Sequence, residues 1–218
     1  MSAHILIFLG PPGAGKGTQA RAVSKELGIP HISTGDILRE SARKETGLGL
    51  AAKARMDKGD LVPDDVMCRI VGERLSEADC QDGAILDGFP RTLGQACFLD
   101  QLLEQRESKS ALLLNLQLEQ TQVIKRLTGR RVCSKCGEIY NVYLNPPRQD
   151  GICDKDGSQL FQRPDDNEEA IRQRLLAYER ETVPLIDYYR SKNALHDING
   201  NGEPEAITER LLNFLKRT

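Results

Sequence analysis

Charge of one sign is in short supply here. Thirty lysines and arginines stand against 32 aspartates and glutamates, a formal net charge of −2 over 218 residues. Such balance argues against a general nucleic-acid binder or a membrane-surface protein, although it leaves room for positive charge gathered in one cleft. Long apolar runs are missing too, and none approaches the length that spans a bilayer. The apolar run near the N-terminus is short, has no basic flank and leads straight into a glycine loop, so it is not expected to be a signal peptide. Internal repeats and low-complexity tracts are absent. Six cysteines in such a chain point to a reducing compartment, with free thiols or a metal rather than disulfides, and so to the cytoplasm. The length suits one domain, or one domain with insertions.

What the chain has is concentrated first in residues 4–21, HILIFLGPPGAGKGTQAR. Ile5 to Leu9 reads as a buried strand that stops at Gly10. The spacing of Gly10, Gly13, Gly15 and Lys16 between a strand and a helix-compatible segment fits a phosphate-binding loop. Glycines let backbone N–H groups reach phosphate oxygens, the following helix turns its positive end to the same point, and Lys16 adds a full charge. The alternative is an ordinary strand–turn–helix corner. One departure stands out: Gly17 follows Lys16 and the hydroxyl comes one later, at Thr18, which leaves the usual direct Mg²⁺ ligand in doubt.

Further along, a helix to Leu27 is expected to end at Gly28, followed by a short strand over 29–33. Ser33-Thr34-Gly35-Asp36 caps a new helix, and Arg39 near its start opposes the helix dipole, which hints at an anionic guest. Residues 40–80 read as helix broken at Gly47, Gly49, Gly59 and Pro63, with no metal-binding or nucleophilic constellation; His31 and Cys68 read as structural residues. The strand 83–87 ends in Asp87, where α/β sheets place their ligands and where a Mg²⁺ or its water would lie, and a tight turn then presents Arg91 with Gln95 about one helical turn later. A strand over 111–116, a helix over 119–128 carrying Arg126, a helix from 167 with Arg172 and Arg174, an interruption at Pro184, a strand over 195–198 and a closing helix over 204–216 complete a parallel α/β pattern.

Between the last two blocks the texture changes. Cys133 and Cys136 are separated by 16 residues from Cys153 and Asp156, two knuckles with the look of a structural zinc site. Asp156 has two readings, as a fourth ligand or as an acidic turn residue, and its position at the ligand spacing of the second knuckle favours the first. A segment this small buries little core, so a metal staple has an evident role.

Taken together, GPPGAGKGTQ at 10–19, STGD at 33–36, LDGFPRT at 86–92, GRRVC at 129–133, the Cys/Cys/Cys/Asp set and RPDD at 163–166 resemble the adenylate kinase family, of the long form with a zinc-bearing lid, over essentially the whole chain. The resemblance implies a P-loop NTPase-type α/β fold, a parallel β-sheet core flanked by helices (1–32, 63–128 and 167–218), with a helical NMP-binding insertion at 33–62 and a small zinc-stapled lid at 129–166. It implies reversible transfer of the terminal phosphoryl group between ATP and AMP to give two ADP, in adenine nucleotide homeostasis. In this family a glycine at position 17 is ordinary, Mg²⁺ is held mainly by phosphates and water near Asp36 and Asp87, and the departure is resolved. Gly13, Ala14, Gly15, Lys16, Gly17 and Thr18 would hold the ATP phosphates, and Arg130, Ile139, Tyr140 and Gly202 would flank its base and ribose, Gly202 with a looseness of one residue. Thr34, Arg39, Asp60, Leu61, Val62, Gly88, Phe89, Pro90, Arg91, Gln95, Arg163 and Arg174 fall at AMP positions. Lys16, Arg91, Arg126, Arg130, Arg163 and Arg174 would neutralise the group in flight, as phosphoryl transfer demands. Cys133, Cys136, Cys153 and Asp156 would bind structural Zn²⁺. ATP, AMP and ADP are then the partners, with no nucleic acid or membrane, and the protein is expected to be a monomer. The rival readings are a kinase for another monophosphate, a zinc-ribbon nucleic-acid binder with a vestigial nucleotide site, and a scaffold; near-neutral charge and the intact arginine set speak against the second.

Overall fold

The computed structural model describes residues 4–105 and 110–217. Its centre is β1 (His4–Leu9), whose residues 5–9 are all 3% exposed or less. A strand buried on both faces reads as a continuous apolar run, and that is why this one does not alternate. Beside it lie β2 (His31–Ser33), β3 (Ala84–Asp87), β4 (Ser110–Gln117) and β8 (Leu195–Asn199), in the order β2-β3-β1-β4-β8 with every pairing parallel. Odd residues of β1 (Ile5, Ile7, Leu9) enter one core and even ones (Leu6, Phe8) the other. The first core is closed by α4 (Asp64–Leu75), α5 (Leu93–Glu104) and α8 (Val183–Ser191), and the second by α1 (Lys16–Leu27) and α9 (Pro204–Leu215). Strand order reverses at β1, and its carboxyl end is the place where such sheets open a crevice. This is the expected α/β sheet with helices on both faces.

Two local readings change. The helix is interrupted beside Gly47, but Gly49 does not break it: α2 (Thr34–Arg43) is capped by Lys44, Glu45 takes a φ of 53°, and α3 (Gly47–Met56) begins at Gly47 and runs through Gly49. Gly49 is there for close packing, since a Cβ on it would sit 2.2 Å from the Ser41 carbonyl carbon of α2. Similarly, Pro184 does not stop the chain's helical course. From α7 (Glu168–Ala177) the backbone passes through a π-helical turn at Tyr178–Thr182 straight into α8, with Pro184 in the first turn of α8, where its missing N–H is harmless.

A second, separate sheet is small. After α6 (Gln120–Thr128) come β5 (Arg130–Cys133), β6 (Ile139–Asn141) and β7 (Leu160–Phe161), antiparallel in the order β6-β5-β7. Its buried cluster is only Cys133, Tyr140 and Cys153, with Leu160 against them.

The contrast between the two α3 glycines gives a stability test. Gly49→Ala is expected to destabilise by about 1–3 kcal/mol through backbone overlap. Gly47→Ala, with nothing within 4 Å of its Cβ position, should leave stability level or raise it by up to about 1 kcal/mol. Urea unfolding midpoints of the two variants decide it.

Candidate active site

The glycine loop leaves β1 with Gly10 at φ 135°, pressed so close to β4 that a Cβ would lie 2.5 Å from the Leu116 carbonyl oxygen. Gly15, at φ 89°, caps α1, which has no side-chain cap and no acidic residue in its first turn. Its first N–H groups are therefore unclaimed by side chains, the arrangement that receives an anion. Lys16 folds back over the loop and donates to the carbonyls of Gly10 (2.7 Å) and Pro11 (2.9 Å). It is partly open to the cleft and enclosed by protein elsewhere. Desolvation pushes its pKa down to about 7 against the pull of Asp87, and Arg91, Arg174 and Arg130 reinforce the fall.

Asp87 stands at the carboxyl end of β3, beside Phe8 of β1. Burial opposes its ionisation, but the His31 ring (Nε2···Oδ2 3.4 Å), Lys16 and Arg91 hold its carboxyl below the usual range. A Cβ on Gly17 would lie 3.0 Å from Asp87 Oδ2, so the missing hydroxyl at that position leaves room for this carboxylate. His31, read from sequence as merely structural, touches the site through Asp87.

A cleft of about 480 Å³ opens over the loop. Eight basic residues line it (Lys16, Arg21, Arg39, Arg91, Arg126, Arg130, Arg163 and Arg174) against five acidic ones (Asp36, Asp60, Asp87, Asp165 and Glu203). The arginines come from α1, α2, the turn before α5, α6, β5, the residue before a short 3₁₀ turn (Pro164–Asp166), and α7. Three carboxylates hold them apart. Asp36 pairs with Arg39 (2.6 Å) and with Arg163 (3.7 Å). Asp165 pairs with Arg174 (2.9 Å), and fully buried Asp166 pairs with Arg174 (3.3 Å) and with Arg130 (Nε at 2.8 Å). Arg39 thus already has an internal anion, and its hint of a guest in the sequence was incomplete. Sequence reasoning missed the roles of Asp165 and Asp166; the doubled aspartate after Arg163-Pro164 was the available signal.

Even so paired, the cluster is strained by charge. Burial, with Arg130 and Arg39 nearby, pushes Arg163 down to about 9, and burial brings Arg174 down to about 10 despite Asp165. Burial also depresses Arg126, opposed by Glu203. Arg126 reaches the Gly200 carbonyl only at 3.4 and 3.5 Å, and its Nε is buried with no partner. An anion entering the cleft supplies what these groups lack.

Of the other expected residues, Gly13, Ala14, Gly15, Gly17, Thr18, Ile139, Pro90 and Gly202 line the same cleft. A smaller cavity of about 50 Å³ adjoins it, lined by Thr34, Asp60, Leu61, Val62, Gly88, Arg91 and Gln95 with Leu38, Met56 and Met67. Phe89 lines neither, because its side chain is buried in the core beneath. Tyr140 reaches the large cleft, but its hydroxyl is engaged elsewhere: it accepts from the Asp154 N–H (2.8 Å) and lies 3.6 Å from Cys153 Sγ.

In the small sheet, Cys133, Cys136, Cys153 and Asp156 offer ligand atoms all within 4.8 Å of one another. The Cys136 and Cys153 sulfurs are 3.6 Å apart, and Cys133 Sγ is 3.4 Å from Asp156 Oδ1. Tetrahedral bonds of about 2.3 Å separate sulfurs by about 3.8 Å, so the set fits a four-coordinate metal with no open position. Asp156 Oδ1 also accepts from the Ser158 N–H (2.9 Å), so its turn role and its place among the donors coexist.

A glycine loop at the switch point of a parallel sheet, roofed by arginines from separate segments, defines a P-loop nucleotide phosphotransferase. The chain belongs to the adenylate kinase family. The sequence model of that family, described as adenylate kinase, matches residues 8–194. Among curated relatives, the adenylate kinase of Archaeoglobus fulgidus is 51% identical over 212 residues, 97% of this chain and 98% of the relative. That of Caldanaerobacter subterraneus is 52% identical (94% and 92% covered), and that of Bacillus subtilis 48% (93% of each).

Lys16 provides a test of the site's electrostatics. Phosphate oxygens beside it restore its charged form, so binding of Mg-free ATP at pH 8 is expected to take up close to one proton. Calorimetric titration in two buffers of different ionisation enthalpy measures this; zero uptake would mean that Lys16 already holds its proton in the free protein.

Proposed function

We propose that the protein transfers the terminal phosphoryl group of ATP to AMP, reversibly, giving two ADP, and so balances adenine nucleotides. One observation carries this reading: cations from seven segments converge over the Lys16 loop, with a buried Arg126 Nε still unpartnered. Phosphoryl transfer asks a protein for little covalent chemistry. It asks for two anions held in line and for neutralisation of the moving charge.

On this reading residues 13–18 hold the donor phosphates, through loop amides and Lys16. Arg126, Arg130 and Arg163 cover the triphosphate, and Arg39, Arg91 and Arg174 grip the acceptor phosphate or the group in flight. The planar guanidinium suits this because it pairs phosphate oxygens in twos. Ile139, Tyr140 and Gly202 flank the donor base and ribose. Thr34, residues 60–62, the Gly88–Arg91 turn and Gln95 receive the acceptor, its base in the smaller cavity. Mg²⁺, arriving with ATP, would lower the charge on the phosphates, with Asp36 and Asp87 facing it through water. The acceptor phosphate is already anionic, so no side chain is needed as a strong base.

Residues 33–62 and 129–166 act as an acceptor-binding insertion and a lid. They already meet through Arg163 and Asp36, 3.7 Å apart. Their closure gathers the arginines and excludes water, which would otherwise take the phosphoryl group. Zn²⁺ held by Cys133, Cys136, Cys153 and Asp156 staples the lid. No helix among the described residues is long and apolar enough to cross a membrane. A monomer in the cytoplasm, without nucleic-acid partners, completes the proposal.

The deciding assay mixes protein and Mg-ATP with each nucleoside monophosphate and follows diphosphate. ADP from ATP plus AMP is expected, and its absence would sink the proposal. Lys16→Met should lower kcat by at least about 10²-fold. For the lid, freshly purified protein is expected to carry one zinc per chain, and a strong chelator should lower the melting temperature. Stoichiometric protein without zinc would remove Asp156 and the three thiols from the role of ligands.

A further inference from the structure

Gln95 lies in the first turn of α5, is 2% exposed, and lines the smaller cavity. The two ends of a side-chain amide are alike in shape, and only their hydrogen-bond partners decide which end is oxygen. Here both partners are one-way. The Arg91 backbone N–H can only donate, and it meets Oε1 at 2.8 Å. The Asp64 carboxylate accepts, and it takes the Nε2 proton at 2.7 Å. The carboxylate is itself fixed, because its other oxygen accepts from the Thr92 hydroxyl (2.7 Å), and that hydroxyl caps α5 by accepting from the Gln95 backbone N–H (3.2 Å). A reversed Gln95 would set N–H against N–H and oxygen against carboxylate. The spacing Thr92-x-x-Gln95 looks like a capping box, but the glutamine reaches Arg91 rather than its own cap residue. Its amide is therefore used for something other than closing the helix end.

With one partner on each end, Gln95 keeps one acceptor lobe on Oε1 and one proton on Nε2 for a guest. Adenine presents an amino donor beside the N1 acceptor, which matches that order. Hypoxanthine and guanine present a carbonyl acceptor beside an N1–H donor, which reverses it. We propose that Asp64, which lines neither cavity, is a positioning residue that sets the base identity of the phosphoryl acceptor by locking the sense of the Gln95 amide. This rests on the reading of the smaller cavity as the acceptor-base site.

The test compares AMP and IMP as acceptors with saturating Mg-ATP. Asp64→Leu, with the same heavy-atom branching but no acceptor, is expected to lower the AMP-over-IMP ratio of kcat/KM by about tenfold or more. The loss should appear as a raised KM for AMP, with kcat changed by less than about threefold. Asp64→Asn keeps an oxygen for Nε2 and should hold the ratio within about threefold of the parent. Asp65→Asn removes a carboxylate from the same first turn of α4, exposed and away from Gln95, and should not move it. Gln95→Leu should lower the ratio as Asp64→Leu does, and the double variant should lower it no further. An unchanged ratio in Asp64→Leu, an equal loss in Asp64→Asn or Asp65→Asn, or additive losses in the double variant would each overturn the assignment. If the leucine variant does not fold, Asp64→Ser, too short to reach Nε2, carries the same expectation. A parent protein that makes no ADP from AMP would instead defeat the functional reading itself.

Discussion

Like charges crowded into a partly desolvated cleft repel one another, and most of what is particular to this structure follows from that repulsion. Two unit charges 4 Å apart at an effective dielectric of about 20 interact by about 4 kcal/mol, so several bare arginines cannot share the space over Lys16 without partners. Asp36, Asp165 and Asp166 hold Arg39, Arg163, Arg130 and Arg174 in place while leaving part of each guanidinium open to the cleft. Burial opposes ionisation of Asp36, yet Arg39 and Arg163 hold its carboxyl at about 2. The compensation is incomplete, as the depressed Arg163 and Arg174 and the unpartnered Arg126 Nε show. A cleft built this way binds phosphates by completing its own neutralisation, and it does so most fully when two phosphate chains enter together.

The same constraint explains why the chain is divided as it is. The parallel sheet has two full apolar cores and fixes the loop and Asp87 on rigid strands. The small sheet that carries Arg130 has no such core. Its buried cluster is two thiols and a tyrosine, too little to order a loop-rich segment by burial alone. Four donor atoms stand at metal-ligand separations, and a metal held there would supply the stabilisation that burial does not. A segment so stapled would keep its fold independently of contacts with the main sheet, which is what the proposed lid closure asks of it.

The strands, their parallel order and the loop were legible in the sequence because buried parallel strands are continuous apolar runs and the glycine spacing is rigid. The knuckles were legible for the same kind of reason, since metal ligation fixes spacing. What could not be read was pairing between distant side chains. Arg39 looked unpartnered along the chain, but its carboxylate is three residues back and also serves Arg163. His31 looked structural because its contact with Asp87 spans 56 residues. Gly49 looked like a helix breaker, although its value lies in the backbone of another helix. Pro184 looked like an interruption, but it sits inside α8 and the departure from α-helix lies upstream, in a π turn. In each case local propensity was read correctly and a tertiary contact outweighed it.

Gly17 joins these two levels. In the sequence it marks where a hydroxyl is missing from a phosphate loop. In the structure the space that a side chain there would press upon belongs to Asp87, 3.0 Å from the Cβ position. The carboxylate arrives from β3, on a different strand from the loop, and is held by His31 and Lys16. The carboxylate that the proposed function sets facing the metal thus stands on the strand beside the phosphate-binding helix and not on the helix itself. The first turn of the helix is then left with its backbone amides, the Lys16 ammonium and the Thr18 hydroxyl, and no carboxylate. On the proposed reading a donor phosphate meets backbone amides, which do not titrate, together with Lys16, whose pKa burial brings down to about 7, so its arrival restores the lysine's charge. That separation keeps carboxylates off the phosphate loop, so the same amides and lysine can hold the phosphates at either stage of a reversible transfer.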